Sequence, residues 1–179
     1  MEKESSALVP EHDLESRAAE SRKYRDERMM RLALVEARLA AREGEVPVGA
    51  VIVWRNLVIA RSHNKPIARH DPTAHAEILA IRHASEIIEN YRLTGMTLYV
   101  TLEPCIMCAG AILQARLARV VYGAGDPKGG AIDSLYRMFQ DTRLNHSVEV
   151  TRGVLSMPCG EILSGFFREK RITSRTLNI

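Results

Sequence analysis

The 179-residue chain is short of the features that mark several large protein classes. It has only 3 Cys, an odd number, so the disulfide framework of a small secreted domain is not expected, and a reducing cytoplasm is the natural home. Its 7 Pro and 11 Gly are too few for collagen, a mucin-like stalk or a fully disordered tail. The longest apolar runs, residues 46–54 and 96–102, fall far short of the ~20 residues that span a bilayer, so no membrane association is expected. The opening Met-Glu-Lys-Glu-Ser-Ser lacks the apolar core of a secretory signal.

What is present, 46% hydrophobic and 26% charged residues, fits one soluble globular domain. At this length a single core buries roughly 70% of the unfolded chain's surface, so a metal is not needed merely to hold the chain together. Any metal is then expected to serve chemistry. Net charge is +3, but unevenly spread: residues 1–28 carry eight acids against six bases, which leaves the remainder at +5. A basic body favours a polyanionic partner, although this feature alone discriminates weakly.

Residues 1–20 have few large apolar side chains and are expected to form a flexible N-terminal arm, with residues 21–179 as a single domain. From about Ser21 to Arg42 the apolar residues, Met29, Met30, Ala33 and Leu34 among them, cover most of a helix, while Arg31, Arg38 and Arg42 form a wet stripe. Gly44 ends that helix and Pro47 resumes extended chain. Residues 48–54 and 57–62 read as a hairpin around Arg55-Asn56. Asp71-Pro72 has the form of an N-cap followed by Pro at the first helical position, predicting a helix to about Asn90. A strand over 97–101, a helix from Pro104 to about Leu117 and a strand over 119–122 follow, then a loop containing Gly123, Gly125, Gly129 and Gly130. Residues 134–139 read as helical, 148–151 as extended, and 159–172 as a terminal helix with a basic end. Helices separated by strands point to a layered α/β domain.

The chemistry lies in His75-Ala76-Glu77 and, starting 30 positions after the histidine, Cys105-Ile106-Met107-Cys108, preceded by Pro104. Two cysteines three apart at a helix start lie about 60° apart around its axis, so both sulfurs reach one ion. A helix N-terminus lowers the cost of forming the thiolates that bind metal. His75 and Glu77 stand about 200° apart on an ideal helix and share no stripe, but they converge if the helix aims its N-terminal end at the ion. His75 is then the third ligand and Glu77 stands beside the ion without binding it. Two thiolates and a neutral imidazole balance Zn2+ and leave a fourth position for water, whose proton a nearby carboxylate takes at neutral pH. A lone Cys-x-x-Cys is more often a structural zinc knuckle or a redox pair. A closed site would need a fourth protein ligand from His63, His70, His83, His146 or Cys159, and none has supporting spacing. His-x-Glu with Pro-Cys-x-x-Cys is instead the pattern of zinc deaminases that hydrolyse cytosine at C4 or adenine at C6.

The similarity extends beyond the metal motif. Val46-Pro47-Val48-Gly49-Ala50-Val51, Asn64-Lys65-Pro66-Ile67, residues 69–78, Asn90-Tyr91-Arg92-Leu93, residues 97–111, residues 119–124, Asn145-His146 and Phe166-Phe167-Arg168 resemble the bacterial tRNA-specific adenosine deaminases, within the cytidine/deoxycytidylate deaminase-like superfamily. The resemblance covers roughly residues 24–171. It implies a three-layer αβα cytidine deaminase-like fold with a central mixed sheet of about five strands, and a homodimer with one Zn2+ per subunit. The implied reaction is conversion of adenosine to inosine at the wobble position of a tRNA anticodon, with tRNA-Arg the expected substrate and Glu77 the proton shuttle. It also makes Asn64 a residue that hydrogen-bonds the flipped nucleotide, with a turn-stabilising Asn before Pro66 as the alternative. His70 and Asp71 join the same wall, although Asp71 is equally well explained as an N-cap. Asp126 is placed near the substrate backbone, where a carboxylate can accept a hydrogen bond from a ribose 2′-hydroxyl and favour RNA over DNA. Lys128, Phe166, Phe167, Arg168, Lys170 and Arg171 supply cations and aromatic faces to the anticodon stem-loop, with at least one Phe expected in the core. Cys159 reads as a small buried apolar residue, and Trp54 has no assigned role. Two other functions compete: deamination of a free base or nucleoside, which shares the zinc chemistry, and a non-catalytic RNA-binding subunit, against which Glu77 argues.

Overall fold

A computed structural model describes residues 11–176, with side chains described for residues 17–173. Residues 1–10 of the expected arm lie outside the described residues. The remainder, 11–20, opens a long helix α1 (Glu11–Arg42) rather than staying irregular. Glu, Ala, Arg and Lys are strong helix formers, and a segment that cannot nucleate alone propagates from a packed helix at little cost.

After α1 come β1 (Gly49–Trp54), β2 (Leu57–His63), a one-turn α2 (Pro66–Arg69), α3 (Ala76–Ile87), β3 (Thr97–Leu102), α4 (Ile106–Gln114), β4 (Arg119–Ala124), β5 (Glu149–Thr151) and α5 (Ser156–Thr176). The five strands form one mixed sheet ordered β2-β1-β3-β4-β5, with β1 antiparallel to β2 and β3, and β3, β4 and β5 parallel. Arg55 and Asn56 both adopt positive φ, 46° and 69°, which is the tight hairpin geometry that matches strand twist. No helix among the described residues is long and apolar enough to cross a membrane.

Both faces of the sheet are covered, which explains why β1 reads as an unbroken apolar run instead of alternating. Ala50, Ile52, Leu98, Val100, Val120 and Tyr122 pack with Ala76, Ala80 and Ala84 of α3 and Ile112 of α4. Val51, Val53, Tyr99 and Val121 pack on the other side with Met29, Met30, Ala33 and Leu34 of α1 and Cys159 of α5. Arg31, Arg38 and Arg42 are exposed, as a solvated stripe requires. Gly49 lets α1 lie directly on β1, because a Cβ there would stand 2.0 Å from the Ala33 carbonyl oxygen.

Three expected element limits shift, each for a local reason. Asp71 does not cap α3; its Oδ1 accepts hydrogen bonds from the Thr73 amide at 2.8 Å and hydroxyl at 2.7 Å, closing a turn that spends Pro72 before the helix begins. Residues 134–139 form no helix beyond the start of a 3-10 turn, Met138–Gln140, because the Leu135 and Tyr136 amides both donate to the Gly130 carbonyl and the Met138 amide to the Ala131 carbonyl, not to carbonyls four residues back. Gly123 lies inside β4, where a Cβ would meet the Cys159 sulfur at 2.4 Å, and not in the loop.

α1 is fastened to the sheet by a buried ion pair. Arg119 donates to Asp26 Oδ1 and Oδ2 at 2.8 and 2.6 Å, and the Tyr99 hydroxyl donates to Oδ1 at 2.8 Å. Burial works to raise the Asp26 pKa, but the hydrogen bonds from Arg119 and Tyr99 overcome it and hold the carboxyl below its usual range. A carboxylate whose pKa is lowered on folding contributes stability above its unfolded pKa, near ~3.9, and loses it as pH falls through the folded value. Urea unfolding at pH 7 should show Asp26→Asn less stable by about 3–5 kcal/mol, with the gap to wild type narrowing below pH ~4. Equal unfolding midpoints at pH 7 would remove the pair as the fastening of α1.

Candidate active site

The sheet order brings the end of β2, the start of β1 and the ends of β3 and β4 to one edge: Gly49 pairs with His63, Ala50 with Val100, and Leu102 with Ala124. At that edge the N-termini of α3 and α4 meet. His75 is the N-cap residue of α3 and Cys105 the N-cap residue of α4, both with extended φ and ψ. The extended conformation turns each side chain off the helix cylinder, so that the 200° separation of His75 and Glu77 on an ideal helix ceases to matter.

His75 Nδ1 lies 3.7 Å from Cys105 Sγ and 3.5 Å from Cys108 Sγ, and the three ligand atoms lie within 4.8 Å of one another. Nitrogen and sulfur bound to one tetrahedral zinc, at about 2.0 and 2.3 Å, stand about 3.5 Å apart, so this donor set fits such an ion in spacing and in chemical type. Among the described residues, none of the other histidines or Cys159 joins the cluster. His63 Nδ1 bonds Glu36 Oε2 at 3.0 Å, His146 Nε2 donates to the Leu117 carbonyl at 2.7 Å, and Cys159 is buried beneath β4. The three-ligand set therefore leaves a coordination position open.

The protons of the cluster are unequally held. Hydrogen bonding from Cys108, and secondarily from His75, pulls the Cys105 thiol down to about 4. The same shared bond, together with burial, pushes the Cys108 thiol up. The hydrogen bond with Cys105 raises His75. Glu77, only 3% exposed, is raised by burial, which disfavours its charged form and prepares it to carry a proton.

His75, Glu77 and Cys105 open onto a cavity of about 240 Å³ walled by Val46, Val48, Asn64, Pro66, Leu102, Glu103 and Asp126. A larger groove of about 390 Å³ between α1 and the β5–α5 connection holds the Asp26–Arg119 pair. It contains none of the metal-ligating cluster. Asn64 lines the cavity, and its Oδ1 accepts a 2.8 Å hydrogen bond from the Ala76 amide, the first of α3. Its Oδ1 supplies the cap that His75, with its ring in the cluster, does not. Asp126 lines the cavity, held in part by its own Oδ1, which accepts from the Lys128 amide at 3.0 Å. Lys128 is exposed on the same loop. His70 does not line the cavity; it is the exposed C-cap of α2, in the left-handed region with φ 51°. Phe167 and Arg168 are exposed on α5, also outside the cavity, with the Phe166 and Phe167 rings edge to face at 5.6 Å. Phe166 is the more buried of the two and packs near Ala41, at the end of α1 that leads into Val46.

Two carboxylates that hold the cavity together escaped the sequence reading. Glu45, 1% exposed, accepts from the Ile67 and Ala68 amides at 3.3 and 2.8 Å and so anchors α2 behind Pro66. Glu103, 2% exposed, gathers hydrogen bonds from the loop after β4; burial works to raise it, but the Ser134 hydroxyl and the Asp133, Asp126 and Ser134 amides pull it down to about 2. Both acids sit at the border of an apolar segment, which is the one signal the sequence offered.

An αβα sheet that presents a histidine and a buried glutamate at one helix start, and a cysteine pair at another, defines a deaminase of the cytidine deaminase-like fold. Comparison with known proteins agrees: the family described as MafB19-like deaminase matches residues 24–171. The tRNA-specific adenosine deaminase of Haemophilus influenzae is 53% identical over 156 residues, covering 86% of this chain and 90% of that protein. That of Bacillus subtilis is 50% identical over 146 residues, covering 82% and 91%. A solved structure from a study of A-to-I editing by tRNA:A34 deaminases at the wobble position of transfer RNA superposes with a TM-score of 0.74 at 51% identity, covering 76% of this chain and 99% of that one. The chain belongs to the tRNA-specific adenosine deaminase family.

If Asn64 caps α3, then Asn64→Ala should lower the free energy of unfolding by about 1 kcal/mol in urea titrations of the metal-free protein. An unchanged midpoint would leave Asn64 with the cavity role alone.

Proposed function

We propose that the protein hydrolyses adenosine to inosine at the wobble position of a tRNA anticodon, with tRNA-Arg as substrate, as a cytoplasmic homodimer holding one Zn2+ per subunit. The observation that carries this reading is the meeting of His75, Cys105 and Cys108 beside a buried Glu77 in a cavity large enough for one base. The names of the relatives and the basic body of the chain support tRNA as the polymer that delivers that base.

His75, Cys105 and Cys108 would hold the zinc, which when bound supplies Lewis acidity that makes water nucleophilic near neutral pH. Glu77 takes a proton from the attacking water and delivers it to N1 of the adenine ring as the C6–O bond forms, then takes the proton of the new C6 hydroxyl and passes it to the amino group as the C6–N bond breaks, so that water and adenosine become inosine and ammonia. Burial suits Glu77 to this task, because a carboxylate held above its usual pKa takes up the proton of the water more readily. Asn64, its Oδ1 committed to the Ala76 amide, offers its NH2 group to the base. Asp126 at the cavity wall accepts a hydrogen bond from a ribose 2′-hydroxyl, and Lys128 and Arg168 meet the flanking nucleotides through salt-sensitive contacts and Phe167 by stacking. His70, exposed on α2, reaches the RNA outside the base cavity. A reducing compartment keeps both ligand thiols available.

The zinc-loaded protein should form inosine, read by mass spectrometry, in an anticodon stem-loop with adenosine at the wobble position. Free adenosine, cytidine and cytosine run alongside should stay intact. Turnover of a free base or nucleoside alone would keep the hydrolytic chemistry and refute the tRNA reading.

A further inference from the structure

Glu103 stands between the end of β3 and Pro104, and its carboxylate accepts five hydrogen bonds from one loop. Oε1 accepts from the amides of Ile132, Asp133 and Ser134 at 3.1, 2.8 and 3.0 Å. Oε2 accepts from the Asp126 amide at 3.0 Å and from the Ser134 hydroxyl. Donors from both ends of residues 125–134 therefore converge on a single anionic group, and bonds to an ionised acceptor are the strong ones.

The rest of the loop is shaped for this contact. The Gly130 backbone passes so close that a Cβ would lie 2.4 Å from the Glu103 carboxylate. Gly130 also bridges Cys105, and the Ala131 amide donates to the Pro104 carbonyl at 2.9 Å. At the far end, the Tyr122 hydroxyl donates to Asp133 Oδ2 at 2.6 Å and Arg152 pairs with Asp133 Oδ1 at 3.2 Å. The loop carries Asp126 into the cavity wall, whereas His75, Glu77 and Cys108 are carried by α3 and α4.

We infer that Glu103 is the positioning residue for nucleic acid at this site: its carboxylate fixes residues 125–134 as one surface and so presents Asp126 to the substrate. The inference rests on the tRNA reading above. Glu103→Gln is nearly isosteric but replaces an acceptor with an NH2 group that faces amide and hydroxyl donors, so the loop cannot close around it. Because the helices that carry the chemistry stay in place, binding should suffer more than turnover.

Steady-state editing of the anticodon stem-loop tests this. Glu103→Gln should raise KM roughly tenfold or more while kcat stays within about threefold and zinc content matches wild type. Ser134→Ala, which deletes one donor and leaves the Cys105 segment untouched, should raise KM by about twofold to fivefold. Asp126→Ala should weaken binding in wild type but cost less than about twofold further in the Glu103→Gln background, since the two act as one unit. A staple that served stability alone would lower the melting temperature and leave KM and this coupling unmoved, which would overturn the inference, as would additive effects. If Glu103→Gln loses zinc, Ser134→Ala decides: a raised KM at full zinc supports the role and an unchanged KM overturns it. A stem-loop left unedited by wild type overturns the tRNA reading and this placement with it; an edited one with KM unchanged in both variants overturns the role of Glu103 alone.

Discussion

The arrangement depends on one constraint: two helices that are distant in the chain must begin at the same point. His75 and Cys105 are 30 residues apart, and neither helix alone holds three metal-ligating atoms. They meet because β1 is inserted antiparallel between β2 and β3, which returns the end of β2 to the edge where β3 finishes. The Gly49 amide, donating to Thr101 Oγ1 at 3.1 Å, ties the start of β1 to the end of β3 at that edge. Both helix N-termini then aim their positive ends at the cluster, which favours thiolate and offsets the burial of negative charge.

Three buried carboxylates show how environment divides labour among identical groups. Asp26 is paired with Arg119 and serves only to fasten α1. Among the described residues Glu103 pairs with no cation but is surrounded by backbone and hydroxyl donors, which hold its carboxyl low. Glu77 is buried more deeply than its hydrogen bonds can offset, so its carboxyl is raised above the usual range. The carboxyls held low fasten backbone, Asp26 at α1 and Glu103 at the loop after β4, while the raised one lies beside His75 and Cys105 at the cavity.

Local chemistry was legible in the chain, and long-range closure was not. The Pro-Cys-x-x-Cys and His-x-Glu spacings are set within a single helix turn, so His75, Glu77, Cys105 and Cys108 could be read before any contact was known. The hairpin at Arg55-Asn56 and the apolar faces of α1 were equally local. Asp71-Pro72 misled because an Asx turn and an N-cap use the same residue types, and the true cap of α3, Asn64, lies 12 residues upstream. Residues 134–139 misled because the Leu135 and Tyr136 amides both turn back to the Gly130 carbonyl, in a loop gathered by Glu103 about 30 positions earlier, which no periodicity records. His70 was placed by resemblance alone, and the left-handed turn at the end of α2 carries it away from the cavity wall.

The central claim is that metal holding and proton transfer reside in different side chains of one cluster. Elemental analysis of Glu77→Ala, run in parallel with its turnover on the stem-loop, tests it most directly. The account predicts close to one zinc per chain, as in wild type, with editing abolished. Editing that survives in Glu77→Ala, or zinc that is lost with the carboxylate, would contradict it.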